Sequence, residues 1–314
     1  MPDFLGIDTS NYTTSAAVYS CEKNEIRQNK KLLPVKKGEC GLRQSDAVFH
    51  HTNQLGDILK ELLLKAGDIR AVGVSARPRN IEGSYMPCFL AGKTAAEIIT
   101  YTCGAKLYYT SHQAGHIAAA LYSCGRTDLF DRKFIAFLVS GGTTDCLLCT
   151  PDAEEILNVQ NFSGSLDLKA GQAVDRIGVM LGLDFPCGKE LEKLAEKSDR
   201  KFKINIKLKG NDCCLSGLEN KCRKMYQDGE RKEDVSKYCL DFIGRTLIAM
   251  TTGAIEELGE LPVVYAGGVM SNRYIRSMLE KHSEAYFAEP DFSCDNAAGV
   301  ALIAAEKYKR NVMK

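Results

Sequence analysis

One local pattern occurs twice in the chain: a strand, a turn rich in glycine or hydroxyl groups, and a second strand. The first copy covers residues 6–20 and the second covers residues 134–150. Turn residues of this kind between β-prone apolar runs predict a hairpin. Because helical patterns follow each hairpin, the repetition predicts two related α/β halves and not two unrelated domains.

Apolar residues at helical spacing predict helices in both halves. These helices cover residues 44–65, 89–100, 171–183, 188–197, 235–258 and 296–308. Short apolar runs at residues 71–75 and 262–266 predict further strands. No low-complexity linker separates the halves, so we expect them to pack around a cleft. We place the N-terminal half at residues 1–130 and the C-terminal half at residues 131–314, with the last helix packing back onto the N-terminal half.

Composition limits the classes of protein that the chain can represent. The 41 basic and 40 acidic residues leave a net charge of +1, so any patch that attracts nucleic acid must be local. Apolar runs such as residues 134–139 are far shorter than the roughly 20 residues that span a bilayer. The first residues lack the basic region of a signal peptide. We therefore expect a cytoplasmic protein with no membrane partner.

The 13 cysteines include one C-x-x-C pair, Cys146 and Cys149. No second pair and no nearby histidine completes a zinc site. We therefore expect reduced, half-buried thiols.

Basic residues are concentrated at one place in the second half. They are Arg200, Lys201, Lys203, Lys207 and Lys209. Contact with RNA phosphates and a solvated charged edge both remain open for them.

His112 and His116 are four residues apart. On a helix this spacing places both imidazoles on one face, close enough to bind one ion. Two ligands are too few for a metal site, so a third must come from elsewhere, and a pair of surface histidines is the other interpretation. The glutamate base of an H-E-x-x-H zinc protease is absent, because residue 113 is Gln.

Two strand-then-diglycine segments are candidate phosphate-binding loops. Residues 140–144, Ser-Gly-Gly-Thr-Thr, follow one apolar run, and Gly267-Gly268 follows another, with Asn272 four residues later. Paired glycines let backbone N–H groups approach a phosphate closely, and threonine hydroxyls add hydrogen bonds. Each segment alone also fits a tight turn, but the repetition favours a nucleotide.

Four aspartates lie beside small or apolar segments, where an acid is costly unless it is paired. They are Asp8, Asp167, Asp175 and Asp295. Asp295 precedes an expected helix, so it is either an N-cap or a metal ligand.

Together these segments resemble, almost from end to end, the TsaD-type tRNA threonylcarbamoyltransferases, formerly described as O-sialoglycoprotein endopeptidases. Eight blocks follow the family's order. They are residues 6–10 (similar to G-I-E-T-S), 45–50 (S-R-x-H), 112–116 (H-x-x-x-H), 138–144 (L-V-S-G-G-H-T), 167–175 (L-D-D-A-A-G-E-A-F-D), 215–218 (F-S-G-L-K), 266–272 (A-G-G-V-A-A-N) and 294–298 (T-D-N-G-A).

The resemblance implies an actin-like α/β fold, the ASKHA fold, with two ribonuclease-H-type halves around a nucleotide cleft. The implied ligands of one divalent metal, Fe²⁺ or Zn²⁺, are His112, His116 and Asp295. The candidate catalytic residues are Asp8, Ser10 and Asn11. The candidate nucleotide contacts are Gly141, Gly142, Thr143, Asp167, Asp175, Gly188 and Asn272.

The activity that the resemblance implies is metal-dependent transfer of a threonylcarbamoyl group from its adenylate to the tRNA adenosine beside the anticodon. The metal would act as a Lewis acid. The implied ligands also include ATP or ADP, or a carbamoyl-type adenylate, in the cleft. The implied partners are tRNA and companion proteins of the threonylcarbamoyl pathway.

The chain departs from the family pattern at several places. The family's C-D-E-T is replaced by other residues at positions 11–14. Leu168 stands where the family has an acid, Gln172 where it has a glutamate, and Thr143 where it has a histidine. The loop at residues 77–83 is longer than the family's G-P-G loop. Two alternatives therefore stay open: a paralogous carbamoyltransferase with an acceptor other than tRNA, and a non-catalytic interaction partner. A protease is disfavoured, because no nucleophile–base pair is evident.

Overall fold

The computed structural model describes residues 2–10, 12–34 and 42–312. The candidate catalytic residue Asn11 lies outside the described residues. The chain divides into two compact units. The first unit runs to residue 132 and includes residues 150–159 and the chain from residue 294, and the second comprises residues 133–149 and 160–293.

A five-stranded sheet forms the centre of the first unit. Its strands are β1 (Pro2–Asp8), β2 (Thr13–Ser20), β3 (Glu25–Leu32), β4 (Asp68–Arg77) and β5 (Lys106–Ser111), in the order β3-β2-β1-β4-β5. β1 and β2 are antiparallel, as predicted for the first hairpin, while β4 is parallel to β1 and β5 is parallel to β4. The carboxyl ends of β1, β4 and β5 therefore lie at the same edge of the sheet.

Helices cover both faces of this sheet. They are α1 (Gln44–Leu63), α2 (Phe89–Cys103), α3 (His112–Ser123) and the C-terminal helix α9 (Ala298–Val312). Leu5 and Ile7 of β1 belong to a core cluster with residues of α1 and α2. Alternate residues of a strand face opposite sides, so Phe4 and Asp8 face the other side, where the Phe4 ring lies 5.6 Å from that of Tyr308 in α9.

α3 and α9 approach each other very closely in the first unit. A Cβ atom on Gly299 would lie 1.8 Å from the carbonyl oxygen of Gly115, so only glycine allows this packing. Gly115 lies between His112 and His116, and Asp295 comes three residues before α9. The helix packing therefore brings the histidine pair and Asp295 together across 179 residues of sequence.

The second unit contains a sheet with the same topology. Its strands are β6 (Phe134–Val139), β7 (Thr144–Asp152), β8 (Ile156–Gly164), β9 (Val263–Ala266) and β10 (Ala285–Phe287), in the order β10-β9-β6-β7-β8. β6 and β7 are antiparallel, β9 is parallel to β6, and β10 is parallel to β9. Reversed, this order matches the first sheet strand for strand, which confirms the predicted duplication.

Five helices accompany the second sheet in the described part of this unit. They are α4 (Ala170–Met180), α5 (Gly188–Ala195), α6 (Ser216–Gln227), α7 (Lys232–Leu258) and α8 (Arg273–Glu280). The aromatic rings of Phe137, Tyr265 and Phe287 stack on one another at centroid distances of 5.0 and 5.2 Å across β6, β9 and β10. The buried Tyr265 hydroxyl meets Thr251 Oγ1 of α7 at 2.6 Å, which ties this helix to the sheet.

The predicted helices are confirmed to within a few residues at their ends, but β3, β5, β8, β10, α6 and α8 were not predicted. β3 lies at a sheet edge and most of its residues are polar, so it lacks an apolar alternation.

Cys146 and Cys149 are free and fully buried, and as residues three apart on a strand they point to opposite faces. Within the described ranges, no helix is long and apolar enough to cross a membrane.

Candidate metal centre and nucleotide site

The two histidines occupy the first turns of α3, directly after β5. Ser111, the last residue of β5, caps the helix, because its Oγ accepts a hydrogen bond from the Ala114 N–H at 3.2 Å. The helix therefore begins at His112, and the spacing of four residues places His116 one turn later on the same side. Their rings lie with centroids 4.3 Å apart.

Three ligand atoms converge at this point. His112 Nε2 and His116 Nε2 are 2.9 Å apart, and Asp295 Oδ1 lies 3.2 Å from His116 Nε2 and 3.6 Å from His112 Nε2. Metal–ligand bonds of about 2.0 Å at tetrahedral angles would place such atoms about 3.3 Å apart. The separations therefore fit one divalent cation held by these three residues.

The second nitrogen of His112 points to buried partners. His112 Nδ1 lies 3.0 Å from Asp8 Oδ2 and 2.9 Å from Ser10 Oγ, and the Ser10 hydroxyl also donates to Asp8 Oδ2 at 2.8 Å. A carboxylate only accepts hydrogen bonds, so the proton of the neutral ring belongs on Nδ1 and the lone pair of Nε2 faces the other ligands. Asp8 and Ser10, predicted as catalytic, therefore lie behind His112, fully buried.

Opposite charges of neighbouring side chains stabilise the protonated form of His112 and the ionised form of Asp295. Burial alone would lower the pKa of His112, but the Asp8 and Asp295 carboxylates outweigh it and raise that pKa to about 10. Burial alone would raise the pKa of Asp295, but hydrogen bonds from His112 and His116 hold it well below its usual range. The site thus favours a positive charge between the carboxylates, which a metal cation supplies when it replaces the proton.

Asp295 is a ligand candidate and not the cap of α9. Asn296 takes the capping role, since its Oδ1 accepts a hydrogen bond from the Ala298 N–H at 3.0 Å. The side chains of His112, His116 and Asp295 are 13%, 18% and 24% exposed, so the centre is reachable from solvent. Two histidines and one carboxylate with open positions are typical of catalytic zinc and non-haem iron sites.

Gly141, Gly142 and Thr143 form the turn between β6 and β7. The Ser140 side chain closes this turn, because its Oγ accepts hydrogen bonds from the N–H groups of Gly142 and Thr143, both at 3.1 Å. Two backbone donors thus already converge on one oxygen, in the manner of an anion-binding nest. Ser140 belongs to the candidate loop at residues 140–144, but it was not among the predicted nucleotide contacts.

Asp167 holds the start of α6. Its carboxylate accepts hydrogen bonds from Leu215 N at 2.7 Å and from Ser216 Oγ at 2.6 Å. Burial alone would raise the pKa of Asp167, but these bonds lower it below its ordinary value. The structure therefore shows that Asp167 is hydrogen-bonded to Leu215 and Ser216. Its nucleotide role stays a prediction.

The other predicted nucleotide contacts lie at helix starts or bond to them, since Asp175 is in the middle of α4. Asp175 Oδ1 accepts from the Cys187 N–H at 2.9 Å, directly before Gly188, where α5 begins. Asn272 caps α8, and its Oδ1 accepts from the Ile275 N–H at 3.0 Å.

Close contacts bring several of these elements together within the second unit. The Gly171 N–H of α4 donates to Ser140 O at 3.0 Å. A Cβ atom on Gly267, whose φ is +104°, would lie 2.3 Å from Val139 O, so this position requires glycine. Glu192 of α5, which sequence reasoning missed, accepts a hydrogen bond from Arg273 N of α8 at 2.6 Å. The β6–β7 turn, the α4 start and the end of β9 are therefore neighbours.

The long loop after β4 borders a cavity of about 500 Å³ in the first unit. Its lining residues are Arg77, Asn80, Ile81, Glu82, Gly83, Ser84, Asp152, Glu155 and Asn158. Arg77 is paired with Glu155 at 3.1 Å, and Lys307 contacts the other oxygen of Glu155, also at 3.1 Å. The departure from the family's shorter loop therefore lies beside a polar recess large enough for a small molecule.

The chain is similar in sequence to known proteins of one family. The family profile described as TsaD, tRNA N6-adenosine threonylcarbamoyltransferase, matches residues 27–302. A curated tRNA N6-adenosine threonylcarbamoyltransferase from Methanopyrus kandleri is 28% identical over 307 residues, which are 95% of this chain and 85% of that protein.

Solved structures with much lower identity share the fold. Full-length HypF in a phosphate- and nucleotide-bound form matches with a TM-score of 0.59 and 13% identity, over 98% of this chain and 46% of HypF, so the chain spans about half of that protein. The activator of 2-hydroxyisocaproyl-CoA dehydratase from Clostridium difficile, with bound ADPNP, matches with a TM-score of 0.54 and 14% identity over 99% of this chain and 97% of the activator. The predicted actin-like fold is confirmed.

The family profile extends from β3 to within α9, so it includes both histidines, Asp295 and the glycine turns. The chain is an enzyme of the transferase class, and it belongs to the TsaD family of tRNA N6-adenosine threonylcarbamoyltransferases.

Proposed function

We propose that the chain modifies tRNA by moving a threonylcarbamoyl group from its adenylate to the adenosine beside the anticodon. In this proposal His112, His116 and Asp295 hold one divalent cation, Fe²⁺ or Zn²⁺. The supporting observation is the convergence of three ligand atoms at separations of 2.9 to 3.6 Å in a chain of this family. The reaction takes place in the cytoplasm, with the companion proteins that the family resemblance implies.

Each side chain near the centre has a defined task in this proposal. Asp8 and Ser10 are positioning residues, because they contact His112 Nδ1 and direct Nε2 toward the cation. A cation bound there would supply Lewis-acid polarisation of a carbonyl oxygen. Asn11 is retained as a catalytic candidate.

The donor nucleotide binds at the glycine turn of the second unit. A phosphate oxygen would take the place that Ser140 Oγ occupies between the N–H groups of Gly142 and Thr143. Gly141 and Gly142 have no side chain to obstruct this phosphate. The space beside them is also open, because a Cβ atom on either glycine would meet nothing closer than 4.0 Å. Asp167, Asp175, Gly188 and Asn272 complete the proposed nucleotide site.

The bond changes of the proposed transfer balance. The exocyclic amine of adenosine attacks the carbamoyl carbon and forms a C–N bond. The bond from that carbon to the phosphate oxygen breaks, AMP leaves with the electron pair, and the amine loses one proton to solvent.

Direct transfer tests the proposal. The protein, supplied with Fe²⁺ or Zn²⁺, is incubated with threonylcarbamoyl adenylate labelled in its threonine part and with an unmodified tRNA transcript. It is tested alone and with a cell extract depleted of its own enzyme of this family. We expect label in the adenosine beside the anticodon, and none when that adenosine is replaced by guanosine or when His112→Ala replaces the wild type. Absence of label under both conditions would overturn the proposal.

A second candidate is transfer to a small acceptor, and the recess beside the long loop favours it. Its volume of about 500 Å³ and the Arg77–Glu155 pair suit a polar metabolite. A protein that consumes the adenylate with a small-molecule extract, and leaves every tRNA unlabelled, would select this candidate.

A further inference from the structure

Residues 201–209 carry four lysines on one side of an extended segment. Lys201, Lys203, Lys207 and Lys209 are all exposed, and we call them the lysine row. We infer that the lysine row is a docking surface for the phosphate backbone of RNA. This inference rests on the proposed function, because tRNA is the RNA that the enzyme would meet.

The burial pattern shows how the segment is oriented. Exposed and half-buried residues alternate from residue 201 to residue 208, which is the period of an extended chain. The half-buried side includes Phe202 and Leu208, which pack against the core of the second unit. The lysines and Asn205 occupy the other side. The apolar side chains therefore anchor the segment and turn the ammonium groups outward.

The charges of the lysine row are not neutralised by carboxylates of the described residues. No carboxylate of the described residues lies within ion-pair distance of any of its four lysines. The preceding Arg200 is different, because it is paired with Glu230 and its guanidinium lies 5.0 Å from the centre of the Phe202 ring. Arg200 is therefore part of the protein's own structure, and the four lysines are available to an external anion.

The spacing suits a phosphate backbone. An extended chain rises about 3.4 Å per residue, so Lys201 and Lys203 are about 7 Å apart, as are Lys207 and Lys209. The gap between the two pairs is about 14 Å, and the whole row spans about 27 Å. The distance within each pair is close to that between successive phosphates of one RNA strand, and the gap between the pairs is close to twice that distance. Residues 200–209 contain no acid, in a chain whose net charge is only +1, so the positive field is local.

An acidic protein surface is the competing partner, and the outward side argues against it. Protein interfaces have an apolar, aromatic centre and are depleted in lysine. The outward side of the row presents only lysines and Asn205. Backbone contacts to RNA require positive charge and no apolar centre, so the row fits RNA better.

The test compares tRNA binding by two variants, each of which carries four substitutions. The first replaces the row by Lys201→Gln, Lys203→Gln, Lys207→Gln and Lys209→Gln. The matched control removes the same charge from other exposed lysines of the second unit, by Lys221→Gln, Lys224→Gln, Lys232→Gln and Lys281→Gln. Fluorescence anisotropy with labelled tRNA is measured from 50 to 300 mM salt, with circular dichroism to confirm folding.

We expect the row variant to bind tRNA at least tenfold more weakly at low salt. The slope of log K against log salt should fall by about three to four, because four phosphate contacts are lost. The control variant should bind like the wild type. His112→Ala should lose transfer and keep tRNA affinity, which separates docking from chemistry.

The outcomes separate this inference from the proposed function. Wild-type protein that binds no tRNA would overturn this inference, and the transfer assay then decides the proposed function separately. A row variant with wild-type affinity and salt slope, in a protein that does transfer to tRNA, would overturn only the inference.

Discussion

His112 Nδ1 lies 3.0 Å from Oδ2 of Asp8, on the opposite side of the ring from the nitrogen that faces His116 and Asp295. This contact is possible because Asp8 ends β1 and His112 starts α3 directly after β5, at the same edge of the sheet. The buried carboxylate orients the imidazole and determines which nitrogen carries the proton. The metal centre therefore depends on a residue that is not itself a ligand.

Replacing this carboxylate should weaken metal binding without unfolding the protein. We expect Asp8→Asn to lower Fe²⁺ or Zn²⁺ affinity by about 10- to 100-fold, since an amide can present N–H groups to Nδ1 and no longer fixes the tautomer. Isothermal titration calorimetry measures the change. Asp3→Asn, in the same strand, is the control, because Asp3 is also buried but contacts Gly67 and Arg27. Equal affinities in the two variants would contradict the role of Asp8.

The close packing of α3 on α9 should be sensitive to one methyl group. We expect Gly299→Ala to destabilise the protein by at least about 1–3 kcal/mol and to weaken metal binding, because the Cβ atom would force the helices apart. Gly56→Ala in α1 is the control, since a Cβ atom there meets nothing within 4 Å and should stabilise by up to about 1 kcal/mol. Urea unfolding and metal titration of both variants provide the comparison. Wild-type metal affinity in Gly299→Ala would show that the packing does not position Asp295.

The pKa of Asp167 predicts a pH-dependent stability. Its folded pKa is lowered, so the ionised carboxylate stabilises the folded state above the unfolded pKa of about 3.9, and this stabilisation is lost as pH falls through the folded pKa. The difference in urea midpoint between wild type and Asp167→Asn should therefore be largest near pH 6 and should shrink below about pH 4. A difference that stays constant from pH 6 to pH 3 would show that ionisation of Asp167 does not contribute.

Asn272 should have two separable roles. Asn272→Ala removes the N-cap of α8 and should cost about 1 kcal/mol of unfolding free energy. If Asn272 also contacts the nucleotide, ATP affinity measured by calorimetry should fall several-fold. Ser111→Ala removes the N-cap of α3 in the first unit and should cause a similar stability loss with unchanged ATP affinity. Unchanged ATP affinity in Asn272→Ala would leave this residue as a helix cap alone.

Local patterns were sufficient to predict much of the fold. Both hairpins combine apolar strands with turn residues, so their periodicity and composition could be recognised directly. α6 was missed because its sequence from Ser216 to Gln227 is mostly polar, with only Leu218, Cys222 and Met225 buried. Such elements form because a neighbouring core covers their few apolar residues, and that core is not visible in a local window.

The candidate site was predictable only in part for a similar reason. The histidine pair is a local signal, but Asp295 is 179 residues from His116 and followed from the family resemblance. The contact of Asp8 with His112 depends on which strand ends share a sheet edge, which the sequence pattern did not specify. The availability of the lysine row depends on which basic residues find carboxylates, as Arg200 does with Glu230.

The central claim is that His112, His116 and Asp295 hold a metal that transfer to tRNA requires. Metal content per chain, determined by mass spectrometry after anaerobic reconstitution with Fe²⁺ or Zn²⁺, tests it most directly when transfer is measured on the same samples. We predict one equivalent in the wild type, less than about one tenth in Asp295→Ala, and transfer activity only where the metal is retained. A full equivalent of metal in Asp295→Ala, or full transfer activity in protein without metal, would contradict the account.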